Sequence, residues 1–259
     1  MDHAGDRLRR AVADVIERLR LGPERFATHA RRLAPRGVLE SRHLLPIRVD
    51  ARLADFEGED AVEDRLLLPS LRVERLLAAY RRGMVPWYEA DEPILWWTPN
   101  PRAVLKPENF YTSKSFQKFL RRTDWLIEVN QQFHTVVDAC ATLTPEREAT
   151  WISTPMKVAY QELHRLGYAH SIEVMDQGSL VGGLYGVKLG SIFFGESMFS
   201  RATNASKFAL HALCRGDVFA DLTLIDCQMP SEHLSALGMS LLSREEFEQA
   251  LQAAISPSD

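Results

Sequence analysis

Asp226 and Gln228 flank Cys227 where an apolar run from Leu222 comes to an end. Strand alternation carries both polar side chains to one face, with Ile225 and Cys227 on the other. A carboxylate and a carboxamide emerging together at a strand end suit the positioning of an amine and a carbonyl oxygen; a helix-capping Asp beside a solvated Gln is the alternative. The position reads as a carboxylate that faces a cleft, not a packing residue. Glu196 interrupts the otherwise apolar stretch from Phe193 to Phe199. A carboxylate there must be paired or face a cleft, because an unpaired buried ion is costly. Arg201 is the nearest candidate partner in sequence.

Lys114, Lys118, Arg121 and Arg122 fall at i, i+4, i+7 and i+8, opposite Phe116, Phe119 and Leu120. A basic stripe backed by an apolar face can dock on phosphates, or can be a solvated helix face. Of the five tryptophans, Trp87 follows Pro86 in a turn and Trp151 precedes a helix start. Aromatics carried on loops can stack on a nucleobase, whereas Trp96, Trp97 and Trp125 read as core. The eight histidines show no HxxxH or HxH spacing, so no metal is expected. The three cysteines, Cys140, Cys214 and Cys227, have no CxxC spacing and sit in apolar segments, as small core residues of a reducing, cytoplasmic compartment.

The elements that hold these residues follow from pattern. The chain has 259 residues, 46% hydrophobic and 25% charged, enough for a sizeable core and for two domains. A net charge of −4 argues against a surface coated with cations for long duplexes. No run approaches a membrane span and no apolar leader follows Met1. Residues 1–65 read as a helical extension, with helices at Asp6–Leu21 and up to Leu33 and an acidic connection from Asp50 to Asp64. Residues 66–123 read as a small N-terminal domain. There Ser70 caps a helix whose apolar positions are Val73, Leu76, Leu77 and Tyr80, and Gly83 ends it. Short strands follow at Ile94–Trp97 and Ala103–Leu105, then a helix capped by Ser113 and running to Arg122.

Residues 124–259 alternate legibly. A strand at Leu126–Val129 precedes a helix at Gln131–Ala141 and another capped by Thr154, with Pro155 first and Gly167 beyond its end. Three strands, Ser171–Met175, Leu180–Val187 and Ser191–Met198, form a meander. A helix at Asn204–Phe219, a strand at Leu222–Cys227, a helix at Ser231–Leu237 and a final helix behind a Ser243/Glu246 capping box complete the order. The fold class is therefore α+β, and the order is that of a GNAT-like (acyl-CoA N-acyltransferase-like) core. Fold does not deliver function, however. The loop from Ser200 to Ser206 contains no glycine with which to cradle a pyrophosphate. Acetyl-CoA is an unsuitable donor, and no cofactor is expected.

Two long segments, Tyr80 to Tyr88 and Pro93 to Arg102, resemble the N-terminal motifs of leucyl/phenylalanyl-tRNA–protein transferases. So do Thr150-Trp151-Ile152, Gly167 to Val174, Leu180 to Gly186, Phe194 to Arg201, Asn204 to Lys207, Leu224 to Gln228 and His233 to Gly238. The resemblance spans about residues 70–250. It departs at Arg65 to Leu71, where the family usually has glycine-containing segments.

The resemblance implies an aminoacyltransferase that moves Leu or Phe, or Met, from charged tRNA to the α-amine of proteins beginning with Arg or Lys, marking them for N-degron proteolysis. It implies that Asp226 and Gln228 hold the attacking α-amine and that Glu196 lies near the aminoacyl ester. Trp87, Trp151 and Phe193 would contact the terminal adenosine and aminoacyl group. Leu184, Met198, Leu210 and Ile225 would line an apolar side-chain pocket, and Lys114, Lys118, Arg121 and Arg122 would meet the tRNA acceptor stem. The implied partners are the charged tRNA and an acceptor protein or peptide N-terminus, with no membrane and a monomeric chain. Two alternatives stay open: a transferase of this fold acting on another peptide or small-molecule amine, and a charged-tRNA-binding protein without catalysis.

Overall fold

The structure is a computed structural model that describes residues 71–88, 94, 96–143 and 150–256. The extension 1–65, with its expected helices at Asp6–Leu21 and up to Leu33 and its acidic connection, lies outside the described residues, as do 66–70. In chain order the elements are α1 (Val73–Tyr80), β1 (Val85–Pro86), β2 (Trp96–Trp97), β3 (Arg102–Leu105), α2 (Lys114–Leu120), β4 (Leu126–Val129), α3 (Phe133–Ala141), α4 (Thr154–Arg165), β5 (Ala169–Asp176), β6 (Ser179–Leu189), β7 (Ile192–Ser200), α5 (Ala205–Arg215), β8 (Leu224–Gln228), α6 (Glu232–Ser235), β9 (Ser240–Leu242) and α7 (Arg244–Ile255).

The cap chemistry mostly follows the sequence. Ser113 accepts from the Phe116 N–H at the start of α2, and Ser243 and Glu246 form the reciprocal box of α7. Three boundaries differ. Arg72, with no side-chain cap, directly precedes α1, and the expected cap Ser70 lies outside the described residues. Ser153 and not Thr154 caps α4, which places Pro155 in the second helical position. Helix α5 stops at Arg215 instead of Phe219 because Gly216 takes left-handed backbone, φ 79°.

The larger sheet runs β4-β5-β6-β7-β8-β3-β9, and each neighbouring pair is antiparallel except β7–β8. The expected meander is β5-β6-β7. Strand β3, from the 66–123 segment, pairs with both β8 and β9. The parallel pair is short: Ile192, Phe193 and Phe194 oppose Leu224, Ile225 and Asp226, and beyond them the two strands part. Cores form on both faces. Tyr185, Val187, Ile192 and Phe194 join α1, α3, α4 and α7, while Ile172, Val174, Leu184, Phe193 and Ile225 lie under α5.

Glycines on β6 allow these layers to close. A Cβ on Gly182 would fall on Ala205 Cβ, the first residue of α5, and within 3.1 Å of the Ala205 carbonyl carbon. Gly182→Val should therefore push α5 off the sheet and destabilise the protein by about 1–3 kcal/mol, as overpacking does. Gly195→Ala should cost far less, since its Cβ would meet only the Asp226 carbonyl oxygen at 3.6 Å. Urea midpoints of the two variants provide the check; equal loss in both would show that α5 is not seated on Gly182.

Candidate active site

The parting of β7 from β8 places Gly195–Ser200 on one lip of an opening and Cys227 and Gln228 on the other. Ligands of sheets with parallel strands bind beyond the carboxyl ends of those strands. Asp226 is the last β8 residue opposite β7 and is wholly buried. Its Oδ1 accepts from Arg102 Nε at 2.8 Å and its Oδ2 from Arg102 Nη2 at 2.5 Å, a bidentate pair with both side chains at 0% exposure. Arg102 also donates to the Gly83 carbonyl at 3.0 Å and lies over the Phe247 ring at 4.5 Å.

Gln228 completes the clamp. Its backbone is left-handed, φ 56°, a conformation few non-glycine residues adopt. Its N–H donates to Asp226 Oδ1 at 3.0 Å, and its Nε2 to the Asp226 carbonyl at 3.2 Å. Gln228 thus bonds directly to Asp226, through its left-handed backbone and not through a shared strand face. The idea of Asp226 as a cleft-facing residue with no packing role is corrected: it is an interior ion whose partner is Arg102, a residue the sequence analysis passed over. An arginine leading into Ala103-Val104-Leu105 was the available signal, because a buried guanidinium demands a carboxylate.

Glu196 is set by an irregularity. Tyr185 opposes Ser197 and Gly186 opposes Gly195, so Glu196 is the extra residue of a β-bulge. It points to the α1–α4 side, where Tyr80 donates to Oε1 at 2.7 Å and Tyr160 to Oε2 at 2.8 Å. The two hydroxyls also lie 2.5 Å apart. Burial raises the Glu196 pKa from its ordinary 4.5 to about 7, with the tyrosine hydrogen bonds opposing and the Asp226 charge assisting. The proposed partner Arg201 is elsewhere, donating to the Leu180 carbonyl and lying over Phe199. Tyr80 was read only as the last apolar position of its helix, and Tyr160 was not singled out.

The other expected site residues divide by face. Trp87 and Trp151 are half-buried against the core that also holds Tyr80 and Tyr160, and the Trp87 carbonyl accepts from Trp97 Nε1. Phe193, Leu184, Leu210 and Ile225 are buried in the second core, with Met198 half-buried against it. The opening between β7 and β8 lies between these groups. Lys114, Lys118, Arg121 and Arg122 are all exposed. Burial pushes the Cys227 thiol up, away from a reactive thiolate. The loop after β7 turns on Asn204, φ 75°, where a cofactor grip of the acetyl-CoA kind would use glycine.

A mostly antiparallel sheet with one parallel pair, β7–β8, is a GNAT-like (N-acyltransferase-like) arrangement. The chain belongs to the leucyl/phenylalanyl-tRNA–protein transferase family. Residues 104–252 match the leucyl/phenylalanyl-tRNA protein transferase family and residues 70–100 match its N-terminal domain. The transferase of Pseudomonas paraeruginosa is 53% identical over 178 residues, covering 69% of this chain and 79% of that protein. That of Psychrobacter arcticus is 50% identical over 192 residues, covering 72% of each chain. Among solved structures, a GCN5-related N-acetyltransferase from Kribbella flavida aligns over 62% of this chain and 57% of its own, at 9% identity and TM-score 0.33. L-PGS from Bacillus licheniformis aligns over 69% and 62%, at 13% identity and TM-score 0.33.

Removing one member of the buried pair leaves the other uncompensated. Arg102→Met should lose about 3–5 kcal/mol of stability, and Arg102→Met with Asp226→Leu should recover much of it. Denaturant titration decides; a single variant as stable as the parent would mean that Asp226 finds another cation. Glu196 gives a pH signature. Its folded-state pKa lies above the unfolded one, so its contribution is complete below about pH 4.5 and is lost as pH rises to about 7. The stability difference between the parent and Glu196→Gln should fall across that window and be flat outside it. A difference that stays constant from pH 4 to pH 8 would sink the raised Glu196 pKa.

Proposed function

We propose that this chain transfers a leucyl or phenylalanyl group, or a methionyl group, from charged tRNA to the α-amine of proteins beginning with Arg or Lys. The observation that carries this is the clamped Gln228–Asp226 pair facing the bulged Glu196 across the opening. The amine nitrogen attacks the ester carbonyl carbon, a peptide bond forms, and the bond to the terminal ribose oxygen breaks. The amine gives up a proton and the ribose oxygen takes one. The ester is already activated, so neither ATP nor a metal is required. An α-amine titrates near roughly 7.7–8.0, so a hydrogen-bond acceptor suffices to draw its proton. Both Asp226 oxygens are occupied by Arg102, and Gln228 turns its amide N–H groups toward Asp226. Its Oε1 is then the acceptor for the incoming amine. Much of the rate comes from holding amine and ester together.

In this scheme Trp87, Trp151 and Phe193 hold the terminal adenosine and aminoacyl group. Leu184, Met198, Leu210 and Ile225 take the apolar side chain, and the α2 cations meet the acceptor stem. The enzyme works as a monomer in the cytoplasm, and its products are marked for N-degron proteolysis. Among the described residues no helix is long and apolar enough to cross a membrane.

Labelled leucyl-tRNA with an Arg-starting peptide should give labelled peptide; binding without transfer would favour a non-catalytic tRNA-binding protein. Changing Lys114, Lys118, Arg121 and Arg122 together to Ala should weaken leucyl-tRNA use and flatten its salt dependence, while sparing leucyl-adenosine. Equal loss with both donors would make the helix structural.

A further inference from the structure

The α2 stripe has a continuation that points to the opening. Helix α5 packs beside α2 through Phe208, whose ring meets Phe119 at 6.1 Å, and through His211, whose ring meets Phe116 at 5.7 Å. Lys207 projects along this seam, its ammonium 5.3 Å from the Phe116 ring centroid. It lies in the first turn of α5, the end seated on Gly182, and Gly182 pairs with Ser200 at the end of β7. Lys207 is therefore at the end of the sheet where β7 and β8 part.

His233, exposed on α6, stands on the other side. Partial burial and then the Lys207 charge lower its pKa, so its charged neighbour is a cation and not a carboxylate. It follows Gln228 by only the short connection 229–232. Among the described residues, Lys114, Lys118, Arg121, Arg122 and Lys207 have no carboxylate within ion-pair distance. Lys157, Arg165, Lys188 and Arg244 each have one.

We propose that Lys207 and His233 form a bridge for the single-stranded 3′ end of the charged tRNA, carrying its phosphates from the α2 stripe to the opening beside Gln228. This rests on the transferase reading above. The chemistry suits a single strand. Lys207 is a mobile point charge on a long stem, suited to phosphates whose spacing varies, and His233 adds a neutral donor at pH 7. Lys207 stands over the Phe116 ring, and a cation beside an aromatic face suits the unpaired nucleotides of a single strand.

Donors of increasing length separate the parts. Leucyl-adenosine carries no bridging phosphate, a leucylated CCA trinucleotide carries those of the single strand, and leucyl-tRNA adds the stem. Lys207→Ala should raise KM for the trinucleotide and for leucyl-tRNA by roughly tenfold, with kcat held, and reduce the salt slope of both by about 0.7. Leucyl-adenosine should change less than twofold, Lys207→Arg should restore the trinucleotide, and His233→Ala should repeat the pattern more weakly. The α2 quadruple variant should lose leucyl-tRNA but keep the trinucleotide. Loss of all three donors in Lys207→Ala, or of none, would overturn the bridge. So would a rise confined to the KM of the peptide, which would make this face an acceptor surface. Failure of the transferase reading shows separately, as no transfer by the parent protein from any donor.

Discussion

Arg102 joins parts of the chain that are far apart in sequence. Its guanidinium ties β3 to Asp226 on β8, donates to the Gly83 carbonyl after α1 and lies against Phe247 of α7. Burying such a pair contributes little net stability, since desolvation offsets most of the Coulomb attraction. Its consequence is geometric. Two parallel hydrogen bonds fix one rotation and one register, and the β3–β8 ladder has its irregularity between Ala103 and Val104, beside the pair. A β8 strand held this firmly can end in a left-handed Gln228, whose strain the Asp226 oxygens and carbonyl compensate through the Gln228 N–H groups.

The opposite lip depends on a second local irregularity. Without the extra residue at Glu196, regular alternation along β7 would place Glu196 and Met198 on one face. With the bulge, Glu196 faces Tyr80 and Tyr160 while Met198 lies against the α5 core. A polar and an apolar surface thus meet along one strand. Desolvation holds the carboxyl proton more tightly than water does, against the opposing hydrogen bonds of the two tyrosines.

Much of this order was readable because helices and strands leave periods and caps. The meander, the helix α2 stripe and the α7 capping box follow from spacing alone, and Asp226, Gln228 and Glu196 stood out as polar groups in apolar runs. Pairing partners were not readable. Arg102 and Asp226 are separated by 124 positions, and Tyr80 and Glu196 by 116, so only the folded sheet brings them together. The bulge leaves no mark in residue type, because a single extra residue looks like continued strand. Strands β1 and β9 were missed for their length, two and three residues, below what alternation can signal. Helix ends erred by a residue or a turn where Ser153 and Thr154 offer equivalent caps and where Gly216 competes with a still-apolar Val218-Phe219.

Charge resolves an apparent conflict between a net −4 chain and an RNA substrate. Screening in physiological salt confines the reach of an exposed charge to about 8 Å, so a phosphate responds to the residues beside it and not to the total. Among the described residues four cations elsewhere are answered locally: Lys157 by Asp138, Lys188 by Asp221, Arg165 by Glu162 and Arg244 by Glu248. Those on α2 and the start of α5 stand over ring faces and open water instead. An RNA that arrives at the α2 face then meets cations whose charge is not already neutralised, which favours that orientation of approach. An acidic chain that keeps a stripe of unpaired cations can therefore be more selective for how its substrate docks than a uniformly basic one.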